Sequence, residues 1–111
     1  YIVSTDNIPA QVMDYIEKHC LERITLQTIS DKFYISFNTI NAIVKGISGK
    51  TFKEYLTDLR LDTANALMKS GFYSISSVAK LSGFSDYSSF YRTCKKLYGK
   101  NPREWLKEKL P

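Results

Sequence analysis

The chain has 111 residues, 43% of them hydrophobic and 24% charged, with a formal net charge of +5. That bounds one domain of ordinary globular composition, long enough to bury a core without staples. No apolar run approaches the length of a membrane span, and these residues hold no positive-apolar-small signal-peptide pattern.

The polar, aperiodic stretch Tyr1–Asn7 reads as a linker or frayed start, and residues 8–111 as the domain. The absence of an initial Met suggests a piece of something longer. A first helix is expected from Pro9 to about Cys20, with Ile8, Val12, Tyr15, Ile16 and His19 at the spacing of a buried stripe. After a connector, Thr25 caps a second helix, Leu26 to Phe33, that buries Leu26, Ile29 and Phe33. Tyr34 and Ile35 make a turn, Ser36 caps a third helix to about Ser48, and Gly49 ends it. Thr51 caps the longest helix, Phe52 to about Lys69, with Phe52, Tyr55, Leu56, Leu59, Ala66 and Leu67 on the helical period. At ~1.5 Å per residue it is about 27 Å long. Ser74 caps a fifth helix, Ile75 to Ser82, offering Ile75, Val78, Ala79 and Leu81 to the core. Gly83-Phe84-Ser85 is a turn, with Phe84 turned inward as a plug. Asp86 caps a sixth helix to about Tyr98 and Gly99 stops it. Asn101-Pro102 opens a last helix with Trp105 and Leu106 facing inward. No useful stretch alternates with a period of two, so the chain is all-α.

Two parts of this series repeat. At an offset of 50, Lys45 falls on Lys95, Gly49 on Gly99, Lys50 on Lys100, Glu54 on Glu104 and Leu56 on Leu106. Ile40, Val44 and Ile47 fall on Phe90, Cys94 and Leu97. Each copy is a short helix, a turn and a longer capped helix, the layout of a helix-turn-helix, at about 26–48 and 75–98 with the long helix at about 52–69 between them. Charge is concentrated in the second copy. From Arg92 to Lys109 there are seven basic residues (Arg92, Lys95, Lys96, Lys100, Arg103, Lys107 and Lys109) against Glu104 and Glu108, which accounts for the whole +5. A basic cluster beside a turn-helix motif favours a nucleic-acid partner over a merely solvated face.

The residues offer little to catalysis. The one histidine, His19, sits on an apolar helical face. Cys20 and Cys94 occupy apolar helix positions, which favours two buried thiols in a reducing cytoplasm over a disulfide. One His and two distant Cys do not make a structural zinc set, and neither a Walker loop nor a G-x-G-x-x-G is present. No enzyme activity, metal or cofactor is expected.

A recognition helix places residues near its N-terminal end against base edges in the major groove. The non-core candidates are Phe37, Asn38, Thr39, Asn41 and Ala42 in the first copy, and Tyr87, Ser88, Ser89, Tyr91 and Arg92 in the second. Asn pairs with adenine, Arg with guanine, and hydroxyls with either partner type. Lys45, Lys50, Lys95, Lys96 and Lys100 sit where they can flank the groove as phosphate contacts. Ser36 is foremost a cap and a further phosphate candidate.

The segment Val78-Ala79, Gly83-Phe84, Asp86, Phe90, Arg92, Cys94, Lys95-Lys96, Gly99, Pro102 and Trp105 resembles the C-terminal signature of AraC/XylS-type transcription regulators. The resemblance extends through the first copy and the E-Y-L-x-x-x-R-L-x-x-A stretch from Glu54 to Ala64, and covers about residues 8–107. It implies seven helices, with two homeodomain-like helix-turn-helix units joined by a long central helix, and two recognition helices entering successive major-groove segments of double-stranded DNA. Carried over position by position, base reading falls on Asn38, Asn41, Ala42, Tyr87, Ser88, Ser89 and Arg92. Ala42 stands where many members have a long polar side chain, Cys94 where Phe is usual, and Ser30 where the first unit usually has Ala. The resemblance further implies a bacterial activator that touches RNA polymerase, with a sensing domain N-terminal to this chain. The isolated domain is expected to be monomeric and cytoplasmic. The rival from the residues themselves is a basic helical module that binds an acidic protein. RNA binding is disfavoured because no aromatic-bearing sheet is available.

Overall fold

The computed structural model describes residues 8–109. The expected linker at 1–7 lies outside them, as do the last two residues and the side chain of Lys109. Among the described residues the order is α1 (Ile8–His19), α2 (Leu26–Phe33), α3 (Phe37–Ser48), α4 (Phe52–Ser70), α5 (Ile75–Leu81), α6 (Tyr87–Tyr98) and α7 (Pro102–Lys109), with no strand. The chain divides into two compact units between Leu59 and Arg60, inside α4.

In the first unit, Val12 and Ile16 of α1 are fully buried with Ile29 of α2 and Ile40 and Val44 of α3. Phe52 and Leu56 from the start of α4 complete this core, while Ile8, Tyr15, Leu26 and Phe33 pack partly exposed against it. The α1 stripe is therefore the expected one, widened by Met13. His19 is half-buried, its ring 4.4 Å from that of Tyr15 and its Nδ1 2.6 Å from Glu22. It is held in a side-chain cluster on the edge of the core.

The second unit has its own core of Leu61, Ala64 and Met68 from α4, Val78 and Ala79 from α5, Phe90 and Cys94 from α6, and Trp105. Phe84 turns in from the α5–α6 turn against Phe90, with ring centroids 5.1 Å apart. Trp105 stacks on Tyr98 at 4.8 Å. Both cysteines are buried and neither is in a disulfide among the described residues, and burial pushes the Cys94 thiol up to about 12.

Two core expectations are corrected. In α4, Ala66 is exposed and Ala64 buried, with Leu67 only partly covered. The apolar period through Phe52, Leu56 and Leu59 is not continued by Leu61, Ala64 and Met68, because each half of the helix serves a different core. In α5, Leu81 is 48% exposed. The packed stripe there runs 75, 78, 79 and 82, and Ser82, with no exposed surface, takes the next position on it.

The Ser82 Oγ is buried without a hydrogen-bond partner among the described residues. Such a hydroxyl is paid for in desolvation with nothing returned. Ser82→Ala is therefore expected to leave stability unchanged or raise it by up to about 1 kcal/mol. A denaturant titration showing a loss of that size instead would mean that the hydroxyl makes a structural bond.

Candidate nucleic-acid interface

Each helix that follows a turn is started by a side-chain cap. Ser36, with extended backbone, accepts the Thr39 N–H at 3.1 Å, and Asp86 accepts the Ser89 N–H at 2.7 Å. That bond holds the Asp86 carboxyl below its ordinary range, with the Arg92 charge adding a smaller pull. Gly49 and Gly99 end the two helices in the left-handed region, at φ 77° and 70°, where a side chain would be strained. Cap, turn and terminator fix α3 and α6 as matching twelve-residue rods, with the N-terminal turn exposed at Phe37, Asn38 and Thr39 on α3 and at Ser88 alone on α6.

On α3, Asn38 and Ala42 are exposed. The Thr39 hydroxyl lies 2.9 Å from that of Ser36 and belongs to the cap. Phe37 lines an open hollow of about 620 Å³ with Ile24, Leu26, Phe52 and Leu56, so its ring faces apolar neighbours. Asn41 is half-buried, and its Oδ1 accepts the Phe52 N–H at 3.1 Å. Phe52 opens α4, so Asn41 satisfies one of the first N–H groups of that helix, which have no partner within it. The adjacent Thr51 and Glu54 close a reciprocal capping box, with Thr51 N–H to Glu54 Oε1 at 2.9 Å and Glu54 N–H to Thr51 Oγ1 at 3.3 Å. The Thr51 groups hold the Glu54 carboxyl below its usual range, and Lys45 and Lys50 add to this. With one lone pair of its oxygen committed, Asn41 keeps its amide N–H₂ and the second lone pair for an outward partner.

On α6, Ser88 and Arg92 are exposed. Tyr87 is half-buried against the second core, its ring 6.1 Å from Tyr91. Ser89 is half-buried, its Oγ 3.1 Å from Ser85 Oγ and accepting Arg92 Nη2 at 3.5 Å. Arg92 is thus lightly tethered on the outer face, in reach of a ligand.

The phosphate candidates separate by their partners. Lys50 pairs with Asp58, and Lys100 with Glu108, so both charges are already met within their own units. Ser36 uses its oxygen on the Thr39 N–H and its hydroxyl lies against Thr39. Lys45 is exposed and lends its field to Glu54. Lys95 and Lys96 are exposed and form no salt bridge among the described residues. The structure thus gathers Asn38, Ala42 and Lys45 on one exposed helix face, and Ser88, Arg92, Lys95 and Lys96 on another helix. It turns Asn41, Tyr87 and Ser89 partly to internal work. Sequence reasoning treated Tyr34 as plain turn. It is the exposed aromatic of the first turn, at the place where the second copy has Gly83, and that mismatch was the available signal.

A family model described as a helix-turn-helix domain matches residues 29–108, taking in most of both turn-helix pairs. The chain belongs to the AraC-type helix-turn-helix family. Among curated relatives of this family it is 33% identical over 92 residues to the probable transcriptional regulator LumQ of Photobacterium leiognathi, covering 83% of this chain and 37% of that one. It is 31% identical over 94 residues to the transcriptional activator RhaS of Enterobacter sp. (strain 638), covering 85% of this chain and 34% of that one. The chain thus spans about a third of the length of these relatives. In fold it is similar to the C-terminal domain of AraT, a response regulator from Geobacillus stearothermophilus, with a TM-score of 0.85 at 23% identity over 100% of this chain and 91% of that one. No helix of the described residues is long and apolar enough to cross a membrane.

The Asn41 bond gives a stability test within this family site. Asn41→Ala should cost about 1 kcal/mol, because the Phe52 N–H loses its acceptor. Asn38→Ala, on the exposed face, should stay within about 0.5 kcal/mol of the parent. Equal urea midpoints for the two variants would show that the Asn41 bond carries no weight in the fold.

Proposed function

We propose that this chain is the DNA-binding part of a longer bacterial transcription regulator. It binds double-stranded DNA sequence-specifically, with α3 and α6 each entering a major-groove segment. The observation that carries this reading is the pair of side-chain-capped helices with exposed polar residues within two turns of their caps, the second bearing Arg92, Lys95 and Lys96 on its exposed surface. Base reading is assigned to Asn38, Ala42, Ser88 and Arg92. Ala42 can touch only a thymine methyl. Asn41 contributes chiefly as a donor, one lone pair of its oxygen being held by Phe52, and Tyr87 and Ser89 contribute at their exposed edges. Phosphate contacts fall first on Lys95, Lys96 and Lys45. Lys50, Lys100 and Ser36 join them only by giving up or sharing an internal partner.

The regulator acts as an activator, a reading supported by the name of the RhaS relative, and does so in contact with RNA polymerase. A sensing domain N-terminal to this chain, a monomeric isolated domain and a cytoplasmic location complete the proposal. The greater length of the relatives supports the first of these.

In-vitro selection from a random duplex library is expected to return two spaced half-motifs. Recovery of no motif would favour a basic module for an acidic protein. On a selected site, Arg92→Ala should cost about 1–3 kcal/mol and relax discrimination at one base pair. Unchanged discrimination would remove Arg92 from base reading. Lys95→Ala should weaken binding to all duplexes and lower the salt slope by about one. A parental slope would take Lys95 off the phosphate backbone.

A further inference from the structure

Tyr34 is the one non-glycine residue with positive φ among the described residues, at φ 57° and ψ 43°. For a bulky L-residue the left-handed region is unfavourable, and glycine is the usual occupant. The second unit follows that rule in its corresponding turn, where Gly83 has φ 89°. The left-handed step itself is useful, since it lets the Tyr34 N–H close α2 by donating to Ser30 O at 2.8 Å. Glycine would serve that purpose equally well. The tyrosine side chain adds nothing to packing, as the residue is 93% exposed while its neighbours Phe33 and Ile35 both pack on the core.

The position of the ring gives it a task. Tyr34 lies two residues before Ser36, the cap of α3, and so at the end of that helix which faces DNA in the function proposed above. Lys45 is the single cation on α3 and stands past its middle, and Lys32, nearest the turn in sequence, lies over the rings of Tyr15 and Phe33 at 5.4 and 5.8 Å. Lys53 of α4 lines the hollow beside Phe37, on the other side of the α3 start in sequence. A neutral donor at the turn adds a phosphate anchor that these lysines do not duplicate, and tyrosine hydroxyls serve in that role. We propose that Tyr34 is a backbone contact of the first unit, its phenol O–H donating to a phosphodiester oxygen beside the groove that α3 enters. This assignment rests on the DNA-binding reading.

The test compares the parent with Tyr34→Phe, Tyr34→Asn and Tyr34→Gly on one selected duplex, alongside their melting temperatures. Asn and Gly both accept the left-handed backbone, so the two truncations keep the turn. All three variants should bind about three- to tenfold more weakly, the range of one lost hydrogen bond. Tyr34→Phe should keep the parental salt slope, because no cation is removed. Tyr34→Gly should melt at or above the parental temperature. Parental affinity in Tyr34→Phe overturns the assignment, as does parental affinity in both truncations. A lower melting temperature for Tyr34→Gly overturns the strain argument that singles this residue out. A parent that binds no duplex contradicts the functional reading and this assignment together, whereas a binding parent beside equally good variants contradicts this assignment alone.

Discussion

The side-chain caps at Ser36 and Asp86 decide where the two recognition helices begin. Each takes up an N–H that the helix cannot satisfy by itself. The start point sets the register of every later residue. With Ser36 as cap, Ile40 and Val44 fall on the core while Asn38 and Ala42 fall outside. With Asp86 as cap, Phe90 and Cys94 go in while Ser88 and Arg92 stay out. A cap moved by one residue would rotate these sets by about 100° and scramble both core and exposed face. The acidic cap adds something the serine cap lacks, since its charge lies beside the helix N-terminus and near Arg92.

A second set of bonds at the start of α4 explains why the two units are not equal. Phe52 must pack in the first core, so its N–H is drawn from water and needs an acceptor. Asn41 supplies it from α3. α3 thereby commits one of the four hydrogen-bonding positions of its most versatile side chain to the fold. Lys50 is drawn in as well, by Asp58. The second unit gives up Lys100 to Glu108 but keeps Arg92, Lys95 and Lys96 on its surface. Exposed cations are concentrated in the second unit, and in the proposed function it does most of the anchoring while the first unit offers amides, a methyl and the exposed phenol of Tyr34.

The local signals in the sequence carried far. Thr25, Ser36, Thr51, Ser74, Asp86 and Asn101 act as caps through atoms three residues away, so the residue types alone located the helix starts. What stayed hidden depends on partners farther along the chain. Asn41 meets a backbone group eleven residues on, and Lys50 and Lys100 meet carboxylates eight residues on. An exposed-looking polar residue cannot announce such a partner. The exchange of Ala66 for Ala64 was hidden for another reason: a single helix period was assumed where α4 changes cores midway. Leu81 misled because hydrophobicity ranked it above Ser82, while helical geometry placed Ser82 on the packed stripe.

In the proposed function α3 and α6 both meet DNA near their N-terminal ends. Amide NMR of the ¹⁵N-labelled chain during titration with a selected duplex tests this placement. The largest shifts are expected in two clusters, Asn38 to Ala42 and Ser88 to Arg92, with the amides of α1 and α7 little changed. Shifts confined to one unit, or centred on α1, would contradict it.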